Sequence, residues 1–351
     1  MRDRLVRACR QEPVDATPVW FMRQAGRALP EFRAIRERAT LADIVADPAL
    51  CVDVTLQPVR RLGVDGAVLF ADITTPVAGI GVPVQIVTGV GPVIASPIRS
   101  DADVEALHPF EPEEAVGPLL QAIRILARES PVPLIGFAGA PFTLACYLIE
   151  GGPSRDFIAT KRLMHEAPER FARLMERLSA MTTHYLAAQV AAGVQVVQLF
   201  DSWVGGLSPY DYREHVLPHM RQVFQEVRTL GVPSIHFGTA TGGLLRLMAE
   251  AGGDVIGLDW RISLTDGWAE VPDRGIQGNL DPAALLGPFE ETQRQVRWIL
   301  GQADGRSGHV FNLGHGVHPD SDPDALRRVV DLVHEVTSRA GPVPAASGPS
   351  R

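Results

Sequence analysis

Five arginines, Arg23, Arg27, Arg33, Arg36 and Arg38, fall between Pro18 and Arg38, directly behind the apolar run Pro18-Val19-Trp20-Phe21-Met22. A guanidinium presents a rigid fork of donors that matches a carboxylate or phosphate bidentately. Met22-Arg23-Gln24-Ala25-Gly26-Arg27 sets two such forks at the end of an expected strand, with Gly26 free to turn the backbone between them. Pro30 then interrupts any helix before Glu31–Arg38 begins. Charge runs are ordinarily solvated helical faces. Here the apolar strand in front, and a Gly and a Pro where a helix needs neither, point to an anion-gripping loop. Lys161 is the sole lysine, so the choice of arginine over lysine at any one position carries little information.

The elements that must carry this loop follow a simple alternation. Eight short apolar runs, Val19–Met22, Gly66–Phe70, Pro133–Phe137, Val194–Phe200, Ser234–Phe237, Val255–Leu258, Gly275–Gly278 and Gly308–Leu313, are separated by longer amphipathic stretches. Strands alternating with helices predict parallel βαβ units, and eight of them predict a single (β/α)8 TIM barrel. Helix ends are written in the sequence. Asp47-Pro48 opens a helix that closes near Gly63, Pro168 opens one that closes at Gly193, and Ser208-Pro209 opens one that runs to Gly231. Asp322-Pro323 starts the last, with Leu326, Val329, Val330, Val333 and Val336 as its buried stripe. Pro58 and Pro218 fall inside helical patterns and are expected to kink them. Val84–Ile94 alternates around a Gly-rich turn and predicts a β-hairpin inserted after the second strand. Residues 1–340 are expected to form one catalytic domain, and 341–351 a disordered tail.

Bulk properties exclude several classes. A net charge of −8 disfavours nucleic acid or an anionic membrane as partner, so the field that holds an anion must be local. Cys9, Cys51 and Cys146 lie far apart without metal-binding or redox spacing, which fits a reducing, cytoplasmic setting. No apolar run has the length of a membrane span or a signal-peptide core.

Barrel enzymes build their sites at the C-terminal ends of the strands. The residues behind each run are polar: Arg23 and Arg27, then Asp72, then Tyr147 beyond Ala140-Pro141, then Asp201-Ser202, His236, Asp259, Asn279 with Asp281, and Asn312 with His315. The residue types alone name no reaction.

Two stretches are long enough to carry a family resemblance. Pro18–Arg38 resembles the first signature of the uroporphyrinogen decarboxylase family, and Gly136-Phe137-Ala138-Gly139-Ala140-Pro141-Phe142-Thr143-Leu144, with Tyr147 and Gly151 behind it, resembles the second. The likeness runs from about residue 1 to 340. It implies a cofactor-free, metal-free homodimeric carboxy-lyase of haem biosynthesis. Such an enzyme converts the four acetate arms of uroporphyrinogen III to methyls, giving coproporphyrinogen III and carbon dioxide. Carried over by motif, Arg23, Gln24, Ala25, Gly26, Arg27 and Arg36 match binding positions, as do Tyr147, Ser202 and His315, while Asp72 matches the essential acid. The substrate explains the set. Its carboxylate rim suits arginines, and its central pyrrole N–H groups suit one carboxylate, which offers about four lone-pair sites. Asp72 is expected to stabilise the cation formed when the ring is protonated, with Arg23 and Arg27 at the departing carboxylate. Arg23, Arg27, Tyr147 and His315 all remain open as the proton donor.

Each residue also has a plainer role. Asp72 and Ser202 suit turn caps, Tyr147 suits core, and His108, His165, His184, His215, His219, His309 and His334 suit structural positions. His315, His318 and Asp320 on their Gly/Pro loop look like metal ligands, but no cysteine or third histidine is close by. HExxH, GxSxG, Walker A and GxGxxG patterns are absent. Two rival functions are a corrinoid-linked methyltransferase on the same barrel and a non-catalytic tetrapyrrole carrier. The first needs a His-x-Cys zinc pair where this chain has His236-Phe237-Gly238, and no cysteine follows Cys146. The second differs only in releasing no carbon dioxide.

Overall fold

Short buried strands alternating with amphipathic helices give a curled parallel sheet wrapped by helices. The computed structural model describes residues 3–87 and 89–338; the expected C-terminal tail and Thr88 of the Val84–Ile94 stretch lie outside the described residues. In chain order the strands are β1 (Ala67–Val68), β2 (Gln85–Val87), β3 (Gly91–Val93), β4 (Leu134–Gly139), β5 (Val196–Asp201), β6 (Ser234–Gly238), β7 (Val255–Gly257), β8 (Gly275–Gln277) and β9 (His309–Val310). Seven of them form one parallel sheet, β1-β4-β5-β6-β7-β8-β9, each beside the next in sequence. β2 and β3 pair antiparallel, Gln85 opposite Val93 and Val87 opposite Gly91.

The first predicted run, Val19–Met22, joins this sheet only through an isolated bridge from Val19 to Phe311. Its amides explain why. The Val19 N–H goes to the Asp65 carboxylate at 2.8 Å, that of Phe21 to Gln24 Oε1 at 3.0 Å, and that of Met22 to Asn312 Oδ1 at 3.1 Å. Side chains have taken donors that a ladder needs. Backbone bonds remain at Trp20 N to Phe311 O, Phe311 N to Pro18 O and Asp65 N to Val19 O.

Buried apolar side chains fall into two groups. Inside the curl lie Trp20, Met22, Ile135, Val196, Ile235, Phe237, Val255 and Val310, plugged by Leu5, Ala8 and Cys9 of the first helix. The larger group fills the layer between strands and outer helices. A polar chain crosses the interior: Trp20 Nε1 donates to Gln277 Oε1 at 3.0 Å, and Gln277 Nε2 to Gln198 Oε1 at 2.9 Å.

Helix ends lie where the capping residues predict. Asp47 accepts from the amides of Ala49 and Leu50, and Gly63 closes that helix in the left-handed region at φ 72°. Pro168–Ala192 is one helix ending at Gly193. Ser208 and Asp322 cap the helices that follow them. Pro58 leaves Pro48–Leu62 unbroken, because a buried face from Cys51 to Pro58 holds it in place. Pro218 does mark a break: Pro209–His215 and Leu217–Thr229 are separate helices joined at Val216. A further distortion occurs at Val116, where φ is −138°, two residues before Pro118. In the last helix Leu332 is buried, whereas Val336 is 40% exposed and lies off the predicted stripe.

Both ends of the described chain meet at Asp65. Arg4 donates to Asp65 at 2.6 Å and grips Asp15 with two bonds, holding the Asp15 carboxyl well below the usual range. His334, on the last helix, reaches the other Asp65 oxygen at 2.7 Å, and the Thr17 amide donates to Thr337. No helix among the described residues is long and apolar enough to cross a membrane.

Candidate functional site

The arginine loop leaves the sheet at the C-terminal ends of its strands. Arg23 sits at φ 59°, left-handed backbone that costs a non-glycine residue roughly 1–2 kcal/mol. The loop holds this strain through Gln24, whose buried amide accepts from Phe21 N and donates to the Gly66 carbonyl at 2.9 Å. A Cβ on Gly26 would lie 2.8 Å from the Arg23 carbonyl, so the turn closes only on glycine there. Arg23 and Arg27 are exposed, and among the described residues neither guanidinium has a hydrogen bond or ion pair. Ala25 and Gly26 lie between them, half-buried. Arg33 and Arg36 differ. Arg33 donates to the carbonyls of Arg27 and Ala28, and Arg36 to that of Ala39 at 2.6 Å, so both brace their own segment.

Asp72 follows β1. Its Oδ1 accepts from the amide and hydroxyl of Thr74, at 2.9 and 2.6 Å, which shapes the turn. Its Oδ2 has no partner among the described residues. Tyr147, on helix Pro141–Glu150, is nearly buried, with its ring 4.1 Å from that of Trp203. Burial raises the pKa of its hydroxyl, the Asp72 charge raises it further, and Arg23 opposes both. Those couplings put Asp72 and Arg23 around one phenol. Ser202 is half-buried beside Trp203; its carbonyl accepts from Thr239 Oγ1. Phe157, at φ 52°, also packs on Trp203, with ring centroids 5.0 Å apart.

His315 also lies near Arg23. Its Nδ1 accepts from the Gly316 amide at 2.7 Å, which assigns the proton of the neutral ring to Nε2. Burial, then the neighbouring charges of Arg23 and Arg261, push the imidazole down to about 4. It is therefore a neutral donor at physiological pH. Gly316 makes room for Arg23: a Cβ there would lie 2.4 Å from Arg23 Cδ. Gly314 likewise lies against the Trp260 backbone. Arg261 is bonded to the buried Asp259 carboxylate, stacks 4.1 Å over Trp260, and keeps half its side chain exposed. Asn279 fixes this turn by donating to the Asp259 and Ile262 carbonyls.

Not every polar strand exit enters the mouth. Side chains alternate along a strand, and Phe200, Ile235 and Phe237 take the inward positions. Asp201 and His236 are thereby turned outward into the helix layer, fully buried, with Thr143 Oγ1 and the Met248 carbonyl as neighbours. Asp281 caps the short helix Pro282–Leu286. Asn312 spends its oxygen on the amides of Met22 and Leu313. Sequence reading missed the inward aromatic layer Phe137–Phe200–Phe237, with adjacent rings 5.4 and 5.9 Å apart, and it missed Trp203 and Arg261. All three cysteines are buried and protonated, with Cys51 pushed up to about 12 by desolvation. A cleft at the opposite end of the strands, lined by Val14, Thr17, Arg297, Arg306 and His309, contains none of the predicted residues.

An α/β fold with a curled parallel sheet, with the exposed Arg23 and Arg27 beside Asp72, Tyr147 and His315 at the strand C-termini, defines the class: a TIM-barrel-like protein. The chain belongs to the uroporphyrinogen decarboxylase family, whose model, described as "Uroporphyrinogen decarboxylase (URO-D)", matches residues 1–336. It is 52% identical over 339 residues to the uroporphyrinogen decarboxylase of Sorangium cellulosum, covering 96% of this chain and 97% of that protein. It is 54% identical over 338 residues to a uroporphyrinogen decarboxylase of Thermus thermophilus, covering 96% and 99%. Among solved structures, a methyltransferase from Methanosarcina mazei superposes with a TM-score of 0.81 at 18% identity, covering 95% and 98%, a likeness of fold.

Proposed function

We propose that this chain is a carboxy-lyase that removes carbon dioxide from the acetate arms of uroporphyrinogen III, leaving the methyls of coproporphyrinogen III. Membership of the family supports the activity. The observation that carries the mechanism is Asp72: one oxygen is spent on Thr74, and the other is open near the Tyr147 hydroxyl, which Arg23 also faces. A carboxylate so placed accepts the converging pyrrole N–H groups and stabilises the cation formed when the pyrrole carbon is protonated. The unpaired forks of Arg23 and Arg27 hold the carboxylate rim, and Arg261 adds a third positive group beside His315. Phe137, Phe200 and Phe237 supply an apolar floor for the macrocycle.

Of the four candidate proton donors, only Arg23 and Arg27 are cationic at neutral pH. Tyr147 and His315 are held neutral and serve as hydrogen-bond donors. This chemistry needs no metal and no cofactor. Anaerobically prepared uroporphyrinogen III should release carbon dioxide, with products resolved by their remaining carboxyl groups. Binding without release would instead identify a carrier. A thiol-activating methyltransferase is disfavoured by Gly238, which stands where a zinc-binding cysteine is required.

The finer architecture serves the same chemistry. We infer that Val19–Met22 acts as the eighth stave of a closed barrel, because it bonds to Phe311 on one side and Asp65 on the other. Val84–Ile94 is then a hairpin inserted at its rim, and residues 1–340 are one catalytic domain. The enzyme works as a cytoplasmic homodimer without nucleic-acid or membrane partners. Exposed Ile86, Val87 and Val90 near the rim give a second copy apolar surface to cover. Sedimentation at the monomer mass would overturn the dimer.

A further inference from the structure

Away from the mouth, two outer helices turn three ligand-type side chains towards one another. His165 is near the end of helix Ile158–Glu166, and Asp211 and His215 are on helix Pro209–His215. One ligand atom from each lies within 4.8 Å of the other two, and among the described residues this is the group with such a geometry. The aspartate is already oriented. Its Oδ2 accepts from the Ser208 hydroxyl at 2.9 Å, and its Oδ1 lies 3.7 Å from His165 Nε2. The His215 ring is packed edge-on against Phe171 and His165. Residues 211 and 215 are one helical turn apart, so both reach the same side.

We propose that His165, Asp211 and His215 form a binding site for a divalent transition-metal ion of the zinc class. Two imidazoles and a carboxylate suit Zn2+, Co2+, Ni2+ or Cu2+, whereas Mg2+ and Ca2+ prefer all-oxygen shells. Tetrahedral ligands about 2.0 Å from zinc stand about 3.3 Å apart, so small side-chain rotations close the present spacing. Three protein ligands leave a position for water. The ion ties together two helices that both lead out of the aromatic wall of the mouth: one starts at Phe157, and the other comes after the turn at Trp203. Metal binding would brace that wall from outside. The inference does not depend on the reaction proposed above.

Calorimetric titration of the untagged full chain with Zn2+ should show one tight site and a rise in melting temperature, with no comparable signal from Mg2+. His165→Gln and His215→Gln should each weaken Zn2+ binding roughly tenfold or more, at least the loss seen when a ligand's supporting hydrogen bond is removed. His318→Gln, in the unrelated loop pair with Asp320, should bind as the parent does. The parent failing to bind Zn2+, the His165 and His215 variants binding unchanged, or equal binding of Mg2+ would each overturn the site. If His215→Gln fails to fold, His165→Gln decides alone, since its side chain is 54% exposed.

Discussion

Asp72 uses one carboxylate oxygen to shape its own turn and leaves the other open, so its structural and functional roles separate by atom. Asp72→Asn keeps an Oδ1 for Thr74 and loses only the charge. Turnover should fall by roughly 10²–10³ with the fold intact, measured as carbon dioxide release at saturating substrate. Near-parental turnover would remove Asp72 from its role. Two desolvated imidazoles bear on stability. His309 and His315 are both held near 4 by desolvation, against about 6.5 when unfolded. Between those values the unfolded chain binds more protons, so stability is full above about 6.5 and declines as the pH falls towards 4. Each contributes up to roughly 3 kcal/mol. His309→Gln should flatten the difference between urea melts at pH 7 and pH 5. An unchanged difference would assign it to other groups.

At the scale of elements, what positions the site is a meeting of loops. The turn at Gly314–Val317 lies against Arg23, and the turn at Asp259–Ile262 lies against Gly314. Gly316→Ala places a methyl 2.4 Å from Arg23 Cδ without backbone strain, so the guanidinium must swing away. KM should rise about tenfold, equivalent to ~1.4 kcal/mol, with little change in melting temperature. An unchanged KM would show that Arg23 holds no substrate. These meetings explain what was legible beforehand. Caps at Asp47, Ser208 and Asp322 are local, and the sequence shows them directly. Arg261 was invisible because it reaches His315 only through the folded turns. Asp201 and His236 stand at the ends of apolar runs, as mouth residues do, but alternation behind Phe200 and Phe237 turns them into the helix layer. Pro18–Met22 had the composition of a strand, but Asp65, Gln24 and Asn312 claim its amides from far along the chain or from the turn beyond.

Over the whole molecule, one carboxylate joins regions far apart in the chain. Asp65 sits between the Arg4 guanidinium, the His334 ring and the Val19 amide, with only 12% of its side chain exposed. Asp65→Ala leaves Arg4 without one partner and frees the Val19–Met22 segment, and should cost about 3–5 kcal/mol in a denaturant melt. A loss under about 1 kcal/mol, the size of an ordinary surface pair, would make the junction incidental. The same junction gives synthesis a finishing line. While the ribosome is still adding the last helix, Asp65 and Arg4 have emerged but His334 and Thr337 have not, so the nascent chain cannot latch its beginning to its end. A product stopped short of His334 would hold every residue of the mouth and still lack the buckle beside the Val19–Met22 segment.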